Sequence, residues 1–451
     1  MYHVGPIGLT ALVLYLLSLY LTTSGLISRQ VHRKFWNWAL FCTFFITALF
    51  GLFMALQVNY KWNIPFAKQM LHWHVEFGIG MSCAAIIHLS WHLRYYFGRK
   101  AVVVADNKIE TYKKVGRVTE GVMGLLLIIT GLASSTAQFI LLREAMILGG
   151  GTETSTGIFL WLWLMASAAG AIAGSTAHSY DLKKMMRTLV TGLVLSLAFY
   201  LLMNSVLLGP GEIPSFFKMI IIISLTLAPA AFISSFVFIR LTAIRQSADG
   251  YSPGNSFGVE TTGSVIAGIL VTFSVTLSLA NFQVYLIVIV LTVMTSTALL
   301  STIAKSRNVA IVCGILLIAV ILLFKPDILI RSLLLKDVRV NKSIDTPYGN
   351  ISTGSYGGEQ TIFYDHRPLF FSGDIARTEE NIHYALLQRT GNDKVLIFSG
   401  GIEKHIGQLL KHSVKEVTYL EYDPGIIKAE KALDTTLDAM VLHVEKSDPI
   451  R

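Results

Sequence analysis

The chain has 451 residues, of which 53% are hydrophobic and only 14% are charged. A soluble globular protein carries about 25% charged residues, so this composition excludes a soluble chain. Disordered, fibrous and disulfide-rich secreted proteins are excluded as well. The formal net charge is +9, but the basic residues lie mostly in short loops between apolar blocks. There they set membrane orientation, so we expect no nucleic-acid partner.

Apolar blocks of about 20 residues, the length that crosses a bilayer, recur along most of the chain. They cover residues 6–28, 35–57, 74–97, 119–141, 157–177, 188–208, 217–239, 262–280, 282–303 and 308–324. The cysteines Cys42, Cys83 and Cys313 each lie inside a block, which excludes a CxxC metal motif and the covalent attachment of c-type haem. The sequence predicts a mostly α-helical multi-pass membrane protein with about ten transmembrane helices.

Lysine and arginine are distributed unevenly between alternate loops. One set of loops contains 17 of them: Arg29, Arg33, Lys34, Arg94, Arg99, Lys100, Lys108, Lys113, Lys114, Arg117, Lys183, Lys184, Arg187, Arg240, Arg245, Lys305 and Arg307. The other set contains four: Lys61, Lys68, Arg143 and Lys218. The richer set should face the cytoplasm. We therefore expect a bacterial inner-membrane protein with its N-terminus and its C-terminal domain on the periplasmic side.

The pattern of blocks and loops predicts five segments. Residues 1–100 form a three-helix membrane module, and residues 101–117 form a cytoplasmic loop. Residues 118–324 form a seven-helix membrane region, and residues 325–342 form a linker or an interfacial helix. Residues 343–451 show the alternation of strands and helices that is typical of a parallel α/β sheet.

The third apolar block is rich in histidine, with His72, His74, His88 and His92. At about 100° per residue, His74 and His92 share one helix face, and His88 lies about 40° away. His74 and His88 are separated by a rise of about 21 Å. Imidazole is a haem-iron ligand, so this helix could help to hold haem b near each leaflet. The predicted iron ligands are His74, His88 and His92.

The second imidazole of each haem has to come from a neighbouring helix, and the second block contains no histidine. His3 precedes the first block and could meet His72 or His74. His32 follows the first block and could meet His88 or His92. The alternative is that these histidines are interfacial and belong to an aromatic belt with Trp73 and Trp91.

The second and third blocks, with ALFGLFMAL, HVEFGIG and HLSWH, resemble small b-type cytochrome membrane anchors, although the histidine usual on the first helix of the pair is missing. The resemblance covers about 65 residues. It implies an electron-transfer membrane subunit whose partners are other redox or cytochrome subunits and quinone. Glu76, one turn from His72, would then handle a quinol proton.

Residues 118–324 contain GLLLIITGLASSTAQFILLREAMILGGG and GNSFGVETTGSVIAGIL. They resemble the seven-helix membrane region that is fused ahead of spermidine-synthase-like domains in bacterial proteins. Arg143 and Glu144 in this region should lie near the outer surface. Their simplest interpretation is a local or an inter-helix ion pair.

The tail resembles the polyamine (spermidine) synthase family over residues 343–451. The pieces DTPYGNI, IFYDHRPLFFS, TEENIHYAL, VLIFSGGIEKHIGQLLKH, EVTYLEYDP and KSDPIR follow the family's order. The resemblance implies a Rossmann-like α/β domain, apparently incomplete at residue 451, with a site for an S-adenosylmethionine-type nucleoside. Gly400 and Gly401 would let the ligand approach the backbone, Glu421 would bind the ribose hydroxyls, and Asp448 would contact the adenine.

The tail also departs from that family where the chemistry occurs. Ile402 stands in place of the amine-binding aspartate, Glu403 and Lys404 replace glycines, and only His383 of a YHE triplet is kept. A buried cationic amine needs carboxylate partners, so we expect a catalytically degenerate domain, a pseudoenzyme used for docking or assembly. The alternatives are a membrane-tethered aminopropyltransferase or other adenosyl-dependent transferase, and a haem-free membrane scaffold.

Overall fold

The structure is a computed structural model, and its description is confined to part of the chain. The described residues are 2–60, 65–97, 120–177, 181–209, 211–277, 279–371, 374–388, 391, 394–412 and 414–433. The chain divides into two compact units, Met1–Ala101 and Val102–Arg451, which we call the N-terminal unit and the C-terminal unit.

The N-terminal unit contains three helices: α1 (Val4–Thr23), α2 (Arg29–Tyr60) and α3 (Ala67–Phe97). The pair α2 and α3 packs most extensively. Most of the apolar side chains of α1 and α2 are exposed, and few hydrophobic residues of this unit, such as Trp36 and Ala84, are buried. Apolar outer faces suit a lipid environment. The helical backbone suits it as well, because its polar groups are hydrogen-bonded within the helix.

Seven long helices begin the C-terminal unit. They are α4 (Glu120–Gly149), α5 (Glu153–Thr176), α6 (Leu182–Leu207), α7 (Phe216–Asp249), α8 (Pro253–Thr276), α9 (Asn281–Leu300) and α10 (Ala304–Phe324). Over the described residues of both units, ten helices are long and apolar enough to cross a membrane. The prediction of a mostly helical protein with about ten such helices is confirmed.

Small residues allow these seven helices to pack with their backbones close together. A Cβ atom at Gly263 on α8 would lie 1.9 Å from the carbonyl oxygen of Ile128 on α4. A Cβ atom at Gly170 on α5 would lie 2.0 Å from the carbonyl oxygen of Phe232 on α7. Close approach at small residues is the usual way in which helices associate in lipid, where no hydrophobic effect drives them together.

The segment that follows the last long helix is folded. It forms helix α11 (Pro326–Leu334), which packs on α6 and α9. One face of α11 is buried, including the charged residues Asp327 and Arg331. The first half of residues 325–342, predicted to be a linker or an interfacial helix, is therefore helical, and its position at a membrane interface stays a prediction.

An antiparallel sheet of four strands comes next, in the order β1 (Arg339–Asp345), β2 (Asn350–Tyr356), β3 (Glu359–Tyr364) and β4 (Arg367–Phe371). Strands β3 and β4 are joined by two residues only, Asp365 and His366, with φ values of 50° and 63°. Two positive φ values in a two-residue loop are what a type I′ hairpin turn requires.

The end of the described chain holds α12 (Ile375–Leu386), β5 (Lys394–Phe398), α13 (Glu403–Leu409), β6 (Glu416–Leu420) and α14 (Pro424–Leu433). Strands β5 and β6 pair in parallel, in a sheet separate from the first. Together with α13 they make one βαβ unit. Two parallel strands do not amount to a Rossmann fold, so the predicted α/β domain is present in the described residues only as a small sheet region.

Candidate functional site

His74 is held on α3 by the backbone of α2. Its Nδ1 lies 2.9 Å from the carbonyl oxygen of Thr47, so Nδ1 carries the hydrogen and donates it. Gly51, one turn further along α2, makes room for the ring, since a Cβ atom there would lie 3.1 Å from Cε1 of His74. In the neutral ring the lone pair is then on Nε2. An imidazole whose other nitrogen is fixed by a carbonyl is the usual form of a metal-ligating histidine.

His88 lies further along the same helix and also faces α2. Its Nδ1 lies 2.9 Å from Oδ1 of Asn37, so both predicted ligands are hydrogen-bonded to the neighbouring helix through the same ring nitrogen. The third predicted ligand, His92, belongs to α3, but its side chain lies outside the described residues.

The other three candidate ligands, His3, His32 and His72, are placed differently. His32 is buried, and its ring contacts Tyr15 at 5.8 Å and Trp91 at 5.3 Å between centroids. Trp91 also contacts the ring of His88, at 6.3 Å. At the opposite end of the unit His3 meets His72 as expected, with ring centroids 6.3 Å apart, and both rings lie against Glu76.

Helix α3 carries one imidazole toward each end, on His74 and His88, and both are groups that suit a haem iron. His74 presents an oriented imidazole with Nε2 as the acceptor atom, which is the ligand atom that a haem iron requires. Within the described part of the chain, no second imidazole is paired with the ring of His74.

A second polar site, in the C-terminal unit, is centred on Arg331 of α11. Arg331 and Glu144 are fully buried and form two hydrogen bonds of 2.7 Å. Tyr200 on α6 and the side chain of Asn281 on α9 each donate to Glu144, at 2.8 Å. Three membrane-length helices and α11 thus meet at a single carboxylate.

The sheet completes this site from the other side. Nε2 of His366 lies 2.8 Å from the guanidinium of Arg331. Burial, and then the charge of Arg331, lowers the pKa of His366 to about 3, so the ring is neutral and accepts the hydrogen bond. Burial alone would lower the pKa of Arg331, but Glu144 and Asp345 outweigh it and raise that pKa.

Glu144 was identified from the sequence, but its partner was not. The inter-helix form of the expected ion pair is present, and it joins Glu144 to Arg331 at a sequence separation of 187 residues. Arg143 instead donates to the backbone carbonyl of Thr346, at 2.8 Å. The signal that could have indicated Arg331 is the presence of two charged residues, Asp327 and Arg331, on the same face of the short amphipathic helix α11 as Ile330 and Leu334.

The glycine turn of the tail follows β5. Ser399, Gly400 and Gly401 have φ values of 51°, 92° and 90°, a conformation that glycine adopts at no steric cost. The turn borders a cavity of about 410 Å³, which is also lined by residues of β4, α12 and β5. A turn at the carboxyl end of a parallel strand is a common position for a ligand in α/β proteins.

Glu421 does not line this cavity. Its carboxylate accepts hydrogen bonds from the Ser399 hydroxyl, at 3.0 and 3.1 Å, and from the Tyr419 hydroxyl. It also accepts from the backbone N–H of Tyr422, at 2.9 Å. The carboxylate thus links the end of β6 to the glycine turn after β5, and its contact with ribose hydroxyls stays a prediction. Asp448 lies outside the described residues.

Of the positions that depart from the polyamine-synthase pattern, the structure describes the side chain of Ile402. Ile402 is buried, and its backbone N–H donates to Glu430 at 3.1 Å. The side chains of Glu403 and Lys404 lie outside the described residues. An apolar side chain packed at position 402 provides no negative charge for an amine.

Comparison of the chain with protein-family models, with curated proteins and with solved structures found no match. The resemblances to cytochrome anchors and to polyamine synthases therefore rest on the sequence motifs alone.

Proposed function

We propose that this chain is an integral membrane subunit of an electron-transfer complex and that its N-terminal unit binds haem b. The observation that carries the proposal is the hydrogen bond from His74 Nδ1 to the backbone carbonyl of Thr47. It fixes the tautomer and the orientation of a membrane-embedded imidazole, and ionisable groups inside membrane helices usually serve a function.

Haem, when bound, supplies one-electron redox chemistry. The residues of the chain orient the histidines that would bind the haem iron. Thr47 holds the His74 ring, Gly51 admits it, and Asn37 holds His88 near the other end of α3. Any further ligand of the iron would come from a redox partner subunit. Quinone is the proposed electron-exchange partner in the bilayer.

The C-terminal domain is proposed to serve docking or assembly. The buried Arg331–Glu144 pair joins the sheet to the membrane helices, so the domain is held rigidly as a platform. Neither the glycine turn nor Glu421 presents the charge that an aminopropyl acceptor needs. We place the protein in a bacterial inner membrane, with this domain and the N-terminus on the periplasmic side, on the basis of the loop charges.

The test is a pyridine haemochrome assay, together with a reduced-minus-oxidised spectrum, on full-length protein purified in detergent. We expect a b-type spectrum that is lost or shifted in His74→Ala and retained in a matched histidine variant of the tail, His405→Ala. Gly51→Val should shift the spectrum without removing an iron ligand, because its side chain pushes the His74 ring. Absence of haem from the wild-type protein would reject the proposal and favour the haem-free scaffold.

A second candidate function, binding of an adenosyl ligand, is favoured by the cavity beside Gly400 and Gly401. Calorimetry with S-adenosylmethionine tests it, with Ala385→Trp as a variant that fills the cavity and the exposed Leu387→Ala as its control. Because Ile402 replaces a carboxylate, we expect no aminopropyl transfer from decarboxylated S-adenosylmethionine to putrescine. Turnover at ordinary enzyme rates would favour a membrane-tethered aminopropyltransferase over the electron-transfer subunit.

A further inference from the structure

His3, His72 and Glu76 converge at one end of the N-terminal unit. His3 Nδ1 lies 2.9 Å from Oε1 of Glu76, and His72 Nε2 lies 3.4 Å from the same oxygen. One ligand atom from each of the three residues lies within 4.8 Å of the other two. His3 comes from the segment before α1, whereas His72 and Glu76 are one turn apart on α3, so the cluster joins two helices.

These distances are close to those of a metal site. A tetrahedral zinc ion with bonds of about 2.0–2.1 Å places its ligand atoms about 3.3 Å apart. The two imidazole–carboxylate distances of 2.9 and 3.4 Å lie on either side of that value. The two imidazole nitrogens themselves lie within 4.8 Å of each other, so the side chains close by at most about 1.5 Å to place both nitrogens and the oxygen around one ion.

The surroundings orient the ligands in the way that metal sites require. The ring of Tyr2 stacks on His72, with centroids 5.5 Å apart. The backbone N–H of His3 donates to Oε1 of Glu76, at 3.1 Å, which fixes the carboxylate. The side chains of His3 and His72 are 65% and 45% exposed, so an ion can enter from solvent and keep a water ligand.

We propose that His3, His72 and Glu76 form a binding site for a divalent transition-metal ion of the zinc class, which fastens α1 to α3. Two imidazoles and one carboxylate are a common donor set for zinc, with a fourth position left to water. On binding, the hydrogen that His3 Nδ1 now gives to Glu76 moves to the exposed Nε2 of the same ring, and Nδ1 binds the ion. The site is distinct from the proposed haem ligand His74, which points about 200° away from His72 around the helix.

The experiment uses full-length protein in detergent, purified with a tag that contains no histidine and stripped of metal with a chelator. Titration with Co²⁺ should give one bound ion per chain with the visible absorption of a tetrahedral site, and Zn²⁺ should displace it. We expect His3→Ala, His72→Ala and Glu76→Gln each to weaken binding by at least about tenfold. Zn²⁺ should also raise the thermal unfolding midpoint of the wild type, since an ion that binds only the folded state stabilises it.

One variant serves as a control. His412→Ala removes an imidazole from the His383–His412 contact in the tail, where the nitrogens are 2.7 Å apart, and should leave the Co²⁺ site intact. The site shares no residue with the proposed haem ligand His74, so failure of the haem proposal does not affect this one. Equal Co²⁺ binding in all variants would overturn the proposal. Binding that is lost in His3→Ala alone would overturn it too, since the ion would then lie on the N-terminal segment without α3.

Discussion

At the scale of single residues, the most consequential position is Arg331. It is buried together with Glu144, and its guanidinium also contacts His366 and Asp345. A buried ion pair adds little to stability compared with an apolar replacement of both partners, but removal of one partner leaves an unpaired buried charge. The pair therefore fixes which surfaces of the helices and the sheet meet.

Replacement of Arg331 by methionine should destabilise the C-terminal unit by about 3–5 kcal/mol, because Glu144 would be left without its cation. The measurement is the thermal unfolding midpoint in detergent. The matched control is Lys218→Met, which breaks the exposed 2.6 Å pair with Glu212 and should change the midpoint little. Equal effects of the two substitutions would show that the Arg331 pair is not the joint that we describe.

The stability of this unit should depend on pH through His366. Its pKa is 6.5 in the unfolded chain and about 3 in the folded one, so between these values the unfolded state binds more protons. Stability therefore falls as the pH falls through this window. His366→Gln keeps an acceptor for Arg331 and removes the titration, so its unfolding midpoint should fall less than that of the wild type between pH 7.5 and pH 5.

Asp365 has the opposite effect on the pH dependence of stability, because burial raises its pKa to about 6. Asp365 is present in both the wild type and His366→Gln, so the difference between their unfolding midpoints reports the titration of His366. Parallel midpoint curves for wild type and variant over this range would contradict the assignment of a neutral, buried His366.

At the scale of elements, close packing of helix backbones determines how the seven-helix region assembles. Glycines at the α4–α8 and α5–α7 contacts leave no room for a side chain. The sequence marks them only as small residues in apolar blocks, and other glycines in the same helices face open space. The structure is needed to tell the two classes apart.

Gly263→Ala on α8 should cost about 1–3 kcal/mol, because its Cβ would overlap the backbone carbonyl of Ile128 and the helices would have to separate. Gly258→Ala on the same helix is the control, since nothing lies within 4 Å of its Cβ position. This control should be neutral or slightly stabilising. The measurement is the thermal unfolding midpoint of the two variants, taken in parallel. A Gly263→Ala variant as stable as the wild type would contradict the close contact between the backbones of α8 and α4.

At the scale of the whole molecule, the described residues contain an even number of membrane-length helices, ten, so we predict that the N-terminus and the C-terminal domain lie on the same side of a membrane. The distribution of lysine and arginine predicts that this side is the outside. The electron-transfer and docking proposals for the two ends of the chain both depend on this topology.

The topology can be tested with single cysteines in a background that lacks Cys42, Cys83 and Cys313. Leu387 in the tail is 73% exposed, and Leu387→Cys should react with an impermeant maleimide in intact spheroplasts. Ser247→Cys, at the exposed end of α7, should react only after lysis. The reverse pattern would mean that the orientation is inverted.

The sequence by itself determined the class of this protein and the number of its long helices, because a bilayer-spanning helix leaves a local signal of about 20 apolar residues. It also predicted strands and helices from residue 343 onward, because their turns and alternation are local. It did not predict β1 (Arg339–Asp345), which begins inside the segment of mixed charged and apolar residues for which the sequence predicted a linker or an interfacial helix.

Only the tertiary structure decided which side chains meet. The pairing of Glu144 with Arg331, the contact of the neutral His366 with Arg331 and the hydrogen bond from Ser399 to Glu421 all join residues through the fold rather than through a periodic pattern. The two positive φ values at Asp365 and His366 place that histidine, and a sequence without glycine at the turn gives little sign of them. Contacts between distant residues depend on the packing of whole elements, and hydrophobic periodicity carries no information about their partners.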